Sequence, residues 1–366
     1  MRIMRAKRWI FETSDPVHRP VVFHCVSRIV DRRFVFGDEE REAFRMFMRM
    51  YENFSGCRVL TYCVMSNHFH ILLEVPPLEA GGLTDEKLLA RLAAIYPANF
   101  VQGVADELAA GRAEETAEEG LTAGNEARVK EIHARFTYRM HSLSRFMQGL
   151  LIRFTRWFNR KHERSGTLWE ERFKSVIVES GTAARTIAAY IDLNPVRAGM
   201  VSDPADYRWS GYGEAIGGGK KGNGKKAREG IVRACMSYKG IGFDAEKWKD
   251  VSRIYRRAMG MALGRKNGRA EVGETQHANK NEEEMLASKD NGTVLPDLGM
   301  AGMLMKRVRY FTDGAVIGSK EFVNEAFAGA RERFSERRKD GARRMRGSGE
   351  AAKGILWSMR DLRLRV

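Results

Sequence analysis

The amino-acid sequence predicts an α+β fold: a ferredoxin-like, split βαβ antiparallel sheet with helices on one face, plus a helical insertion and a C-terminal extension. Three observations lead there. Apolar residues fall near a period of two at the start of 19–36, and segments 58–65 and 68–75 read as short strands rich in Val, Leu and Tyr. After Asp38 and after Ser142 the apolar residues recur at three- and four-residue spacing, as on amphipathic helices. The resulting order opens β-α-β-β, the beginning of a split βαβ layout.

The elements follow in order. Val21, Phe23, Cys25 and Ile29 mark the first strand, which runs into a basic hairpin or loop at Arg32 and Arg33. His24 on this strand reads as a structural side chain. Asp38, Glu39 and Glu40 place acids in the first turn of a helix whose apolar face is Phe44, Phe47, Met48 and Tyr51, and Gly56 ends it. Arg58 to Met65 is a strand, Ser66 and Asn67 a turn, and His68 to Val75 a second strand stopped by Pro76 and Pro77. Residues 76–141 form an insertion or lid, rich in Ala, Gly and Glu, with helical pieces at 83–96 and 126–140. Ser142 opens a strong helix, with Ser144 as a candidate cap and Phe146, Leu150, Phe154, Trp157 and Phe158 as its stripe. A strand at Phe173–Val178 is followed by a helix from Thr182 to Leu193, stopped by Pro195. Trp209 and Tyr212 anchor a short helical or looped tail.

Composition divides the chain at residue 216. Residues 1–216 make one unit, 217–229 a flexible basic Gly/Lys linker (GGGKKGNGKK at its start), and 230–366 an extension of unassigned role. That extension has a weakly patterned part (230–263), a polar low-complexity stretch (264–292), a globular-looking piece (295–334) and a basic run (331–346).

Apolar residues make up 43% of the 366, enough for a real core, so the chain as a whole is not disordered. The net charge of +16 favours a polyanionic partner, with nucleic acid the commonest; a soluble protein with a solvated basic surface is the plainer reading. Cys25, Cys57, Cys63 and Cys235 form no CxxC pair, so neither a zinc knuckle nor a disulfide framework is indicated, and a reducing cytoplasm fits. The basic N-terminal segment lacks the long apolar run of a signal peptide, and no run is long enough to span a membrane.

Three motifs carry chemistry. In His68-Phe69-His70 the two imidazoles, two apart on a strand, project from one face while Phe69 points to the other. They read as a pair of metal ligands or as two histidines on a half-buried strand. In YIDLNPVRAG (190–199), Tyr190 and Asn194 lie one helical turn apart on one face. A phenol beside an amide serves as nucleophile beside a metal ligand; a core tyrosine with a helix-ending asparagine is the alternative. In RFTRWFNRKHERSGTLWEERFKS (153–175), Arg153, Arg156, Arg160, Lys161, Arg164, Arg172 and Lys174 alternate with aromatics including Trp169. Cations hold phosphates and aromatics stack on unpaired bases, although most of these aromatics also suit a core.

Together the segments YCVMSNHFH (62–70), GTLWEERFKS (166–175) and YIDLNPVRAG (190–199) resemble the single-tyrosine HUH transposases, and within them the REP-associated tyrosine transposases, over about 20–75 and 142–215. The resemblance implies a metal-dependent endonuclease that nicks and rejoins single-stranded or hairpin DNA through a 5′-phosphotyrosine. It implies Tyr190 as the nucleophile, His68 and His70 as ligands of Mg²⁺ or Mn²⁺, and Asn194 as a third, polar ligand. It allows a homodimer, with Tyr190 completing its own chain's site or its partner's. The contrasting reading is a DNA-binding protein of the same fold that no longer cuts. The insertion at 76–141 and the chain after 216 exceed what the motifs need.

Overall fold

The computed structural model describes residues 20–78, 81–113, 122–218, 222–236, 247–260, 265–266, 269–270, 304–305, 308, 310–344 and 356–359. The N-terminal basic segment therefore lies outside the described residues, as does nearly all of the low-complexity stretch at 264–292.

The first half builds the expected strand and helix order. Strand β1 (Val21–Arg28) is followed by helix α1 (Asp38–Ser55), β2 (Arg58–Val64) and β3 (His68–Val75). Helix α1 ends at the expected glycine. Gly56 adopts φ 72°, the left-handed conformation that a side chain would strain, and it closes the helix. The insertion folds into three helices, α2 (Asp85–Leu92), α3 (Ala98–Ala113) and α4 (Thr122–Thr137), where two helical pieces were expected. Helix α5 (Leu143–Lys161) follows, then β4 (Lys174–Val178), α6 (Thr182–Asp192), and a short turn α7 (Asn194–Arg197). The cap of α5 is Ser142 rather than Ser144: the Ser142 side chain accepts from the Arg145 amide at 3.4 Å.

Strands β1 to β4 lie side by side in the order β2-β3-β1-β4, each neighbouring pair antiparallel. That is the split βαβ arrangement, and its two helices, α1 and α5, pack on one face. Phe44 of α1 and Phe154 of α5 lie against each other at 5.2 Å between ring centres, and Phe44 reaches Phe69 of β3 at 4.7 Å. The expectation of helices on one face holds for this core and needs correction beyond it. Helix α6, which comes after β4, covers the opposite face, where Asp192 accepts from the Thr61 hydroxyl of β2 at 2.9 Å. The physical reason lies in the alternation of the strands. Thr61, His24 and His70 line that second face, and their polar atoms need partners that solvent-stripped sheet cannot give.

The remainder of the chain is built into the same body. Residues Gly211–Gly217 form α8 and Gly222–Cys235 form α9, so much of the expected flexible linker is helical and packs on β2. Helix α10 (Trp248–Ala258) follows. The linker reading came from glycine and lysine content. Ala227, Gly230, Ile231 and Val232 nevertheless bury one side of α9, and Gly230 sits against the Val59 and Leu60 carbonyls, where a Cβ would lie within 2.5 Å of backbone oxygen. Helix α11 (Tyr310–Asp313), strand β5 (Val316–Gly318), helix α12 (Lys320–Ala328) and strands β6 (Arg343–Arg344) and β7 (Trp357–Met359) complete the described chain. Strand β5 runs parallel to β4, pairing Ile177 with Val316, and β7 and β6 extend the sheet to seven strands. Among the described residues no helix is long and apolar enough to cross a membrane.

Candidate active site

The site lies on the α6 face of the sheet. Because β3 alternates, His68 and His70 stand on that face while Phe69 enters the aromatic core on the other. The two imidazoles lie 5.2 Å apart between ring centres. Each is held from behind. The His68 Nδ1 hydrogen bonds the Asn67 amide oxygen at 2.7 Å, and the Asn67 amide nitrogen donates to the Arg32 carbonyl at 2.9 Å. An amide oxygen only accepts, so His68 donates from Nδ1.

Helix α6 brings Tyr190 to the histidines. Its ring lies 6.3 Å from that of His70 and nearly perpendicular to it. The sequence alone left Tyr190 between core and site; it is 3% exposed, in the core, and borders His70. Two further groups enclose its ring. Arg197 stacks on it with the guanidinium carbon 4.0 Å from the ring centre, and Phe311 of α11 meets it edge-on at 4.9 Å. Arg197 is fixed by two backbone carbonyls, those of Tyr190 at 2.9 Å and Leu304 at 2.8 Å.

Asn194 ends the helix. Its amide nitrogen donates to the Ile191 carbonyl at 3.0 Å and reaches that of Tyr190 at 3.4 Å. The nitrogen thus serves the helix terminus, and the amide oxygen is the atom it has to offer a cation. Among the described residues no cluster of three His, Cys, Asp or Glu side chains has the shape of a metal site.

His24, from β1, stands behind His70. Its ring lies edge to edge with that of His70, 5.1 Å between centres, with its Nε2 2.9 Å from His70 Nδ1 and its Nδ1 2.7 Å from the Phe311 carbonyl. Burial pulls the His24 imidazole down to about 4, against the opposing hydrogen bond from Phe311. Burial, with the neighbouring His24, His68 and Arg197 charges, pulls His70 well below the ordinary histidine range. Below them, Asp192 is buried and accepts from Thr61, from the Tyr212 amide at 3.1 Å and from the Tyr255 hydroxyl at 2.6 Å. Burial raises its carboxyl to about 7 despite these donors.

The basic and aromatic segment divides. Trp169 is half-buried. Its indole nitrogen donates to Thr155 at 2.9 Å and its ring packs on Phe36, Phe44, Phe69 and Phe154, at the border of the aromatic core. Arg153 bonds the Ile95 carbonyl at 3.3 Å, Arg164 the Thr167 carbonyl at 3.2 Å, and Lys161 pairs with Glu39 and Glu40. Lys174 lies 3.6 Å from Asp313 and, paired with Val26, projects on the histidine face. Arg156, Arg160 and Arg172 are exposed. Arg156 and Arg160 belong to α5, across the sheet from Tyr190, so the helix read as a DNA patch and the histidine pair occupy opposite layers.

Sequence reasoning assigned no role to Arg197, Asp192 or Phe311 and treated His24 as structural. Arg197 had a legible signal, two turns beyond Tyr190 in a helical reading. His24 had a weaker one, a histidine on the first strand whose neighbour in the sheet the sequence does not name. Phe311 had none.

The family model of IS200-like transposases matches residues 19–80, the stretch holding His24, His68 and His70 and stopping short of Tyr190. Among solved structures the chain is similar to a REP-associated tyrosine transposase bound to a REP hairpin, at 11% identity and a TM-score of 0.32, covering 66% of this chain and 95% of that one. No curated protein matches. Over β1, α1, β2 and β3, the segment that supplies the histidine pair, this chain matches the IS200-like transposases.

Proposed function

We propose that this chain is a metal-dependent endonuclease of the transposase type, nicking and rejoining single-stranded or hairpin DNA through a 5′-phosphotyrosine on Tyr190. The observation that carries the reading is the meeting of Tyr190, from α6, with the His68–His70 face of β3 at 6.3 Å between rings. The family match over 19–80 supports the same reading.

In the reaction, the Tyr190 oxygen attacks the scissile phosphorus. A bond forms from phosphorus to tyrosine oxygen and the bond to the 3′ oxygen breaks. The phenol loses its proton, the 3′ oxygen gains one, and the phosphodiester energy is retained for rejoining. A phenol with an ordinary value near ~10 is a poor nucleophile at neutral pH, so the guanidinium of Arg197 over its ring supplies positive charge where the phenolate develops. His68, His70 and the Asn194 oxygen would hold Mg²⁺ or Mn²⁺, with two imidazoles suiting Mn²⁺ better than the oxygen-preferring Mg²⁺. Such a cation, when bound, neutralises charge on the phosphate. Exposed Arg156, Arg160 and Arg172, with Lys174 on the histidine face, hold the DNA backbone.

One observation favours a second reading, a DNA-binding protein of the same fold that does not cut: Tyr190 lies closed in between Phe311 and Arg197. A labelled DNA hairpin incubated with the protein and Mn²⁺, then run on a denaturing gel, separates the two. The enzyme gives a covalent adduct that Tyr190→Phe abolishes while DNA binding stays near wild type. An adduct that persists in Tyr190→Phe, or none from wild type, rejects the assignment.

A further inference from the structure

We propose that His24 is a positioning residue that fixes the tautomer of His70, with the backbone carbonyl of Phe311 setting the direction of the whole relay. The proposal rests on the reading of His68 and His70 as ligands, and extends it to the residues behind them.

The hydrogen bonds decide the protons one after another. A backbone carbonyl only accepts. Phe311 O lies 2.7 Å from His24 Nδ1, so that nitrogen carries hydrogen. His24 is wholly buried and His70 is 4% exposed, which disfavours an imidazolium on either ring. A neutral His24 protonated at Nδ1 has a bare lone pair at Nε2. The nitrogen facing it at 2.9 Å, His70 Nδ1, must therefore donate. What remains on His70 is a lone pair at Nε2, the form in which an imidazole binds a cation. The two ring planes lie within 22° of each other, the near-coplanar arrangement that a hydrogen bond along the ring plane needs, and this bond holds the orientation of the His70 ring.

His68 is supported by a different route, through Asn67 and the Arg32 carbonyl. Both imidazoles of the pair thus donate from Nδ1 to a buttress. A histidine that ligates a metal is ordinarily supported in this way, its other nitrogen bonded to a fixed acceptor. The difference lies in where the buttress comes from. For His68 it is local. For His70 it begins in α11, far along the chain, so the C-terminal extension is part of the site's support and not an appendage to it. A carbonyl at this place cannot be removed by side-chain substitution, whereas His24 can be exchanged for groups of matching or missing polarity.

The experiment reads the tautomer directly, in metal-free protein, by long-range ¹H–¹⁵N correlation of the histidine rings. Wild-type His70 is expected to carry its proton on Nδ1; a proton on Nε2 overturns the proposal. His24→Gln offers an amide oxygen to His70 and an N–H to Phe311, and it keeps the tautomer. His24→Leu removes the acceptor, gives His70 a mixture of tautomers, and weakens Mn²⁺ binding by about 10- to 100-fold in an electron paramagnetic resonance titration. An unchanged His70 tautomer in His24→Leu also overturns it. A wild-type protein that fails to bind Mn²⁺ would instead remove the metal from the proposed function, with the tautomer measurement still deciding the relay.

Discussion

Phe69 and His70 are neighbours on one strand and belong to two different chemistries. On the α1–α5 face, Phe69 lies among Phe44 at 4.7 Å and Trp169 at 5.5 Å, in a layer of rings continued by Phe36 and Phe154. On the α6 face, His70 is equally hidden, yet its neighbours are His24, His68, Tyr190 and Arg197, connected by directed hydrogen bonds and one cation over a ring. Burial is thus common to both faces and distinguishes nothing. What differs is how position is enforced. Apolar packing fixes a side chain by volume and tolerates an exchange of similar shape. A hydrogen-bonded ring is fixed by polarity, and exchanging it leaves a buried partner unsatisfied. The first face is held by volume, and the second by directed polar contacts.

The largest effect that would test this division is on stability. Phe69→Ala removes a fully buried ring and is expected to cost about 3–5 kcal/mol, read as a lower urea midpoint. His70→Ala, one residue on, leaves one nitrogen of His24 without its partner and is expected to cost about 1–3 kcal/mol. The reverse ranking would break the comparison.

A second expectation concerns pH and sharpens the account of the polar face. Asp192 has its carboxyl raised to about 7 by burial, whereas an exposed aspartate titrates near 3.8. The folded state therefore keeps a proton that the unfolded state releases. The contribution is fully present below about pH 4 and is lost as pH rises through about 7. Asp192→Asn mimics the protonated side chain and escapes that loss. Relative to wild type it is expected to gain stability steadily between pH 4 and 7, by up to about 4 kcal/mol, measured as denaturant midpoints across that range. A constant difference between the two proteins would show that Asp192 is ionised in the fold, held by Thr61, Tyr212 and Tyr255.

The smallest effect lies on the outer surface of the aromatic layer. Replacing Arg156, Arg160 and Arg172 with Ala is expected to weaken binding to single-stranded DNA and to reduce the slope of log affinity against log salt by about 0.7 for each phosphate that an arginine no longer neutralises. An unchanged slope would make these arginines a solvated face, and would leave DNA binding to the histidine side, where Lys174 projects.

By itself the sequence determined the local structure around the candidate site. Period-two spacing placed His68 and His70 on one face of a strand and Phe69 on the other; acids at 38–40 and Gly56 set the limits of α1; helical spacing put Tyr190 on α6, with Asn194 just beyond its end at the start of α7. These are short-range properties, decided by steric preferences and hydrogen bonds within a few residues. Glycine and lysine content read as flexibility at 217–229, where Gly224 and Ala227 are instead buried on α9. Amphipathic spacing, likewise, does not say that Trp169 packs on the phenylalanine layer. Only the tertiary structure decided that α6 crosses to the face opposite α1 and α5, that Arg197 comes to rest on Tyr190, and that a carbonyl at Phe311 meets His24. Those meetings join residues with no short-range relation to one another. They exist because strands β4 and β5 pair and because buried polar groups must find partners wherever the chain can supply them.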